Sequence, residues 1–335
     1  MHNERSLAFK VTWLLVSAIV LALVMLSSVM FGIQTYSWEQ IVSAYSRFDG
    51  SNEHLIITTA RMPRALIAAA VGASLAVAGA LMQAITRNPL ASPSVFGVNA
   101  GAAFAIVLSV TVWNASSLSE FVWIAFAGAA ISSLAVYVLG SIGRDGLTPM
   151  KITLAGSAIS AFFASLTQGL LLGSGKAFDQ VLFWLVGSVA GRTMEMLHSV
   201  LPYMAAAMVG ALLLASHINV LSMGEDVAKG LGQRTILIKA LTALVIVLLA
   251  GGSVAVAGPI VFVGIIVPHI VRFVVGIDHR WVLPYCAVFG ALLLTGADVG
   301  ARFIAMPKEV HVGVTTAIIG VPFFVYIARK GGQLR

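Results

Sequence analysis

The chain has 335 residues, of which 59% are hydrophobic and only 10% charged, and it carries a net charge of +7. A soluble domain has roughly a quarter charged residues, so these few charges cannot cover so apolar a surface, and the fitting solvent is a bilayer. The basic residues are scattered one or two per loop with no basic stripe, which excludes a nucleic-acid surface, and the lone cysteine, Cys286, excludes an intrachain disulfide.

Arg5 and Lys10 precede an apolar run over 11–33. The run is longer than the roughly 7–15 residues of a signal-peptide core, and no small-residue cleavage site stands out, so it reads as a first span. Nine further runs approach membrane length: 64–85, 95–113, 121–140, 152–172, 196–215, 236–251, 259–275, 282–301 and 312–328. Alternating strand patterns are absent, so the spans are helices. Thirteen of the twenty Lys and Arg fall on the side of the N-terminus and seven on the other. That bias puts both termini in the cytoplasm. No soluble module or low-complexity linker interrupts the chain, which reads as one transmembrane domain over 1–335. No G-x-x-x-x-G-K-S/T sequence is present, so ATP phosphates are not expected to bind here. No internal repeat is visible, which speaks against an inverted-repeat carrier.

After the first span, "YSWEQIVSAYSRF" (36–48) sets Trp38, Ile41, Val42 and Tyr45 at helical spacing, as in a helix lying at the interface. The second span opens "RMPR". Arg61 and Arg64 stand three apart on one side of a helix start, and Pro63 suits a first helical turn. On the outer face these arginines either snorkel to headgroups or dock an acidic partner. Gly72, Ala76 and Ala80 recur every four residues as a packing seam. In "TRNPLASPSVFGVNAG" (86–101), Pro89 and Pro93 forbid a continuous helix while Asn88 and Ser92 can cap the next one, so a tight inner turn is expected.

The fifth span gathers Ser157, Ser160, Ala164 and Gln168 within one uncharged face. Such a face suits a helix interface or a water-filled passage that holds its cargo loosely. "KAFDQVLFWLVGSVAGR" (176–192) is too short and broken to span, and reads as re-entrant or interfacial. "LSMGEDVAKGLGQRT" (221–235) lies in a connection over 217–235, far longer than the roughly 2–8 residues such links need. Glu225 and Asp226 at its front and Lys229 behind them suit the dipole of a short helix, which Gly230 and Gly232 end. The loop reads as a cytoplasmic knob of two short helices offered to a partner, against the alternative of a solvated connection. His269 has no second ligand at metal spacing, so no metal site is expected. Asp298 and Arg302, at i and i+4, form either a functional charge pair or an anchor for a helix end.

Taken together, "RMPR…GASLAVAGALMQAITRNPLASPSVFGVNAGA", "VAVAGPIVFVGIIVPHIVR" and "PKEVHVGVTTAIIGVPFFVYIARK" resemble the signatures of permease subunits of iron–siderophore and vitamin B12 ABC importers. The resemblance covers about residues 55–330. One departure is His311, where family members commonly have Pro. The resemblance implies an all-α polytopic fold of ten helices, the type II importer architecture, working as a dimer with the path between two subunits. It implies that the fifth helix lines the gate, with Ser157, Ser160, Ala164 and Gln168 on the path. It places Met223, Gly224, Glu225, Asp226, Ala228, Lys229, Leu231 and Gly232 in a coupling segment gripped by an ATPase subunit. It makes Arg61, Arg64 and, further along, Arg302 contacts for the glutamates of a substrate-binding protein. The implied partners are a second permease subunit, two cytoplasmic ATPases, the binding protein and membrane lipid, with no cofactor and no catalytic residue in this chain. The implied cargo is a ferric siderophore, with vitamin B12 or heme as alternatives. An ion-coupled carrier would need an ionisable residue at mid-membrane, and a membrane enzyme a cluster of His or carboxylates; neither pattern is visible.

Overall fold

The computed structural model describes residues 7–143, 148–173, 181–182, 184–304 and 308–331. Arg5, and residues 176–180 and 183 of the expected interfacial segment, lie outside the described residues. Among those described, all regular structure is helical. In chain order the α-helices are α1 (Leu7–Met30), α2 (Trp38–Ser46), α3 (Asn52–Ile56), α4 (Met62–Thr86), α5 (Val98–Trp113), α6 (Leu118–Ser141), α7 (Pro149–Gly173), α8 (Met194–Ser222), α9 (Glu225–Gly230), α10 (Thr235–Ala257), α11 (Val263–Val275), α12 (His279–Ile304) and α13 (Val312–Gly331). Seven helical runs are long and apolar enough to cross a bilayer. Three shorter apolar helices, Val98–Trp113, Val263–Val275 and Val312–Ile327, occupy the remaining expected spans.

The second span begins earlier than its hydropathy suggests. Helix runs unbroken from Asn52 to Thr86, with a π turn at Ile57–Arg61 between α3 and α4. Pro63 has no amide hydrogen to donate, and the ladder widens just before it, where the Met62 amide bonds the Ile57 carbonyl. Helix α2 forms within the expected stretch. Ser37 and Gln40 close a capping box, Ile41 and Ala44 face inward, and Trp38 and Tyr45 remain exposed.

The core is built around α4, which packs on α12, α10, α11 and α8. The small-residue seam makes this possible. A Cβ on Gly72 would collide with the Gly290 carbonyl of α12, and one on Gly79 with Gly264 of α11. Ala76 and Ala80 are fully buried on the same helix. With lipid outside the bundle, such close backbone approach supplies the dispersion contacts that hold helices together. In contrast, 11% of the most apolar stretch of α7 is buried against 78% for the α3–α4 run, so α7 lies at the edge.

α11 is short because the chain leaves α10 through Gly258 and Pro259 and turns at Phe262, a non-glycine residue with φ 71°. Irregular backbone at membrane depth needs partners from the protein. Here the Ser188 amide bonds the Ala257 carbonyl at 2.8 Å, and the Gly313 amide bonds the Gly187 carbonyl at 3.1 Å. The described part of the 176–192 segment therefore folds inward, with Trp184 buried and its carbonyl set against Gly258.

Candidate functional site

Three surfaces concentrate the chemistry. At the end where α1 and α12 finish and α4 begins, Asp298 is buried between two arginines. Arg64 donates through Nε to both carboxylate oxygens (3.1 and 2.9 Å) and through Nη2 at 2.8 Å; Arg302 donates through Nη2 at 2.6 Å. Arg64 Nη1 also reaches Glu309 at 2.6 Å. The last carbonyls of a helix lack intrahelical partners and favour cations. At the end of α1 they find two: the Phe31 carbonyl accepts from Arg61 Nη1 (2.8 Å) and Arg302 Nη1 (2.9 Å), and Arg302 also takes the Ser28 carbonyl and hydroxyl. Arg61 completes its contacts at the Gln34 carbonyl and over the Tyr36 ring. One polar network thus ties α1, α4, α12 and the segment before α13.

The arginines expected to meet a binding protein lie inside this end of the bundle. Arg61, Arg64 and Arg302 are 9%, 8% and 0% exposed, and each guanidinium is committed to groups of its own chain. Binding an outside carboxylate directly would break contacts already satisfied in a desolvated site. The Asp298–Arg302 pair at i, i+4 forms as its spacing suggests, in the buried interior. Glu309 and Ser28 escaped sequence reasoning because each reaches its arginine across more than 240 residues of chain. The Phe31 carbonyl escaped it too, since no local pattern marks a backbone acceptor.

At the opposite end, α9 projects between α8 and α10. It is one six-residue helix rather than two, because α8 continues to Ser222 and α10 starts at Thr235, which shortens the connection. Gly224 at φ 135° makes the turn into it, and Gly232 at φ 80° the turn out, conformations open to glycine. Ala228 is the residue that α9 buries. Glu225 fixes the base: Lys239 Nζ donates to its Oε2 at 2.6 Å, and Lys229 lies at 3.2 Å. These lysines, Lys239 first, hold the Glu225 carboxyl below its usual range. Gln233 closes the far side, donating to the His217 carbonyl at 2.9 Å. The outer face carries Met223, Val227 and Leu231, spaced by four and 69%, 45% and 68% exposed, flanked by exposed Asp226 and Lys229. A rigid, apolar stripe with a charged rim has the make-up of a protein-binding surface.

The third surface is the outward side of α7. Ser157, Ala164 and Gln168 are exposed and Ser160 is half-buried. The helix buries only Ile152, Gly156 and Thr167, with Gly156 set against the Val95 carbonyl of the Pro93–Phe96 turn. Nothing between Ile152 and Gly173 is charged. Among the described residues no group of three or more His, Cys, Asp or Glu could hold a metal ion; the His269 ring packs edge-on to Phe323 at 5.8 Å.

A helical bundle with an apolar handle at one end, a closed ion network at the other and a long uncharged helix face on its flank defines a polytopic transport permease. The chain matches the FecCD transport family over residues 19–330 and belongs to it. It is similar to "Probable siderophore transport system permease protein YfiZ" of Bacillus subtilis (strain 168), 58% identical over 308 residues, which cover 92% of each chain. It is also similar to "Fe(3+)-citrate import system permease protein YfmD" of the same organism, 50% identical over 86% of this chain and 85% of that one. Its structure resembles a solved chain titled "An inward-facing conformation of a putative metal-chelate type ABC transporter", with a TM-score of 0.83 and 28% identity over 96% of this chain and 99% of that one. The chain is accordingly the membrane permease of an ABC importer and not an enzyme, and it works with ATPase and binding-protein components.

Proposed function

We propose that the chain forms half of the membrane path for a ferric chelate of the siderophore class, with α7 lining that path. The uncharged outward face of α7 carries the reading. It leaves Ser157, Ala164 and Gln168 open beside exposed Leu154, Phe162, Leu166 and Leu172, and a wall without charge lets a bulky polar chelate slide without being held. The names of the similar permeases supply the cargo class. A second permease subunit, identical or related, faces α7. Both termini and α9 lie on the cytoplasmic side, where two ATPase subunits grip the stripe of Met223, Val227 and Leu231, with Gly224, Glu225, Asp226, Ala228, Lys229 and Gly232 shaping it.

A substrate-binding protein meets the opposite end. Arg61, Arg64 and Arg302 act there from within, by holding the ends of α1, α4 and α12 in one arrangement beneath the docking surface. Shifting a two-state gate almost fully from one side to the other takes about 5.5 kcal/mol of differential binding. ATP-driven closure against the handle and binding-protein release together provide it. Uptake of radiolabelled ferric chelates in cells lacking this chain tests the cargo. Restoration by the plasmid-borne chain for a ferric chelate, and not for cobalamin, is expected; restoration of cobalamin uptake alone contradicts the assignment.

A further inference from the structure

A cavity of about 690 Å³ opens at the handle end, among the ends of α4, α8 and α11 and the start of α12. Its polar lining includes Gln83, Arg87, Asn219, Arg272, Asp278 and His279. The single carboxylate there is already spoken for. Asp278 takes Arg280 at 2.8 Å and Asn219 at 2.6 Å, and the Arg280 bonds first, with the Asn219 bond helping, hold its pKa down to about 2. The two arginines are not so matched. Among the described residues neither Arg87 nor Arg272 has a carboxylate within ion-pairing distance. Arg272 meets only the neutral Gln83 side chain, at 2.5 Å, and Arg87 only the Leu221 carbonyl, at a long 3.4 Å.

One further feature points the same way. Arg87 sits at φ 49°, a left-handed position at the end of α4 where glycine or asparagine is the relaxed choice. Backbone strain accepted for a long cation suggests that the side chain is wanted there. His279, 5% exposed, donates through Nδ1 to Asn219 Oδ1 at 2.9 Å, so Nε2 of the neutral ring is an acceptor and adds nothing to anion binding. The ends of three helices add partial negative charge and the start of α12 partial positive charge, roughly half a unit each, so two full unpaired cations still leave the cavity positive.

We infer that this cavity binds a phosphate-bearing anion through Arg87 and Arg272. Planar guanidinium forks suit phosphate oxygens, and basic pockets between membrane helices take phosphorylated headgroups. A lipid phosphate and a soluble phosphate share this chemistry. Met223, the first residue of the α9 stripe, also lines the cavity, so the site adjoins the surface proposed for the ATPase.

The full-length protein, purified in the assembly in which it is extracted, is stripped of lipid and tested as wild type, Arg87→Gln, Arg272→Gln and Arg272→Lys. Arg47→Gln, exposed on the segment after α2, is the control. In one arm, native mass spectrometry reads retention of added phosphatidylglycerol against phosphatidylcholine. In the other, thermal unfolding is compared in sodium phosphate and sodium chloride at matched ionic strength. Wild type and the control should retain phosphatidylglycerol at least tenfold over either Gln variant if the source is lipid. They should show phosphate-specific stabilisation, absent in those variants, if it is soluble. Because Arg87 is exposed, its variant tests the site even where Arg272→Gln fails to fold. Anion binding unchanged in Arg87→Gln and Arg272→Lys, or absent throughout, overturns the inference. So does loss of ATPase association in Arg87→Gln with no anion effect, which would assign the cavity to an acidic side chain of a partner.

Discussion

The two ends of the bundle treat charge in opposite ways. At the Asp298 end, three arginines and two carboxylates lie mostly buried and bond one another and the end of α1. At the α9 end, the apolar stripe is bare and two arginines lack carboxylates among the described residues. A site whose charges are paired within the chain stabilises that chain, whereas a site that leaves apolar area and charge unmatched is built to meet something else. The same residue type therefore has different work at the two ends.

Substitutions can separate the two roles. The largest effect is expected from Asp298→Asn. It leaves Arg302 buried without a carboxylate, so stability in detergent should fall by about 3–5 kcal/mol, read as a large drop in thermal unfolding temperature whether or not partners are present. Leu231→Asp should do the reverse: unfolding is unchanged, because the side chain is 68% exposed, while association with the ATPase weakens by about 2 kcal/mol or more, as for an interface hot spot. Pull-down and ATP-driven uptake check it. If Leu231→Asp instead unfolds the protein, the contrast between the ends fails.

The smallest effect belongs to Glu225→Gln. The ion pairs at the base of α9 are partly solvated, so less than about 1 kcal/mol is at stake. Because Lys239 and Lys229 depress the Glu225 pKa, their contribution is fully present above the ordinary glutamate pKa and is lost as pH falls through the lowered value. Hydrogen exchange over residues 223–234 should therefore be flat at neutral pH and rise in acid for the native chain. In the variant it should be faster at neutral pH and nearly pH-independent once intrinsic rates are removed.

Much of the architecture was legible because lipid imposes a simple rule: apolar runs of sufficient length become helices. The seam at Gly72 and the turn at Pro93 were equally visible, since small-residue spacing and proline each leave a local mark in the sequence. The boundaries were less so. The start of the second span was hidden by polar residues around Asn52, and α11 begins late because Phe262 turns in a way no local preference announces. The arginines were legible as unusual but not as buried, because their partners at Ser28, Phe31 and Glu309 come from distant chain. That Arg87 and Arg272 line one cavity was invisible for the same reason: they come to it only when α4 and α11 pack.

The role of α9 as the grip for a separate ATPase is the central claim. A photo-crosslinking residue placed at Leu231 in the full-length chain, in native membranes, tests it most directly. The expected product is a crosslinked partner that carries a phosphate-binding loop and whose yield changes with ATP. Crosslinks confined to lipid or to the binding protein, or labelling of position 231 from the outer side of the membrane, would contradict it.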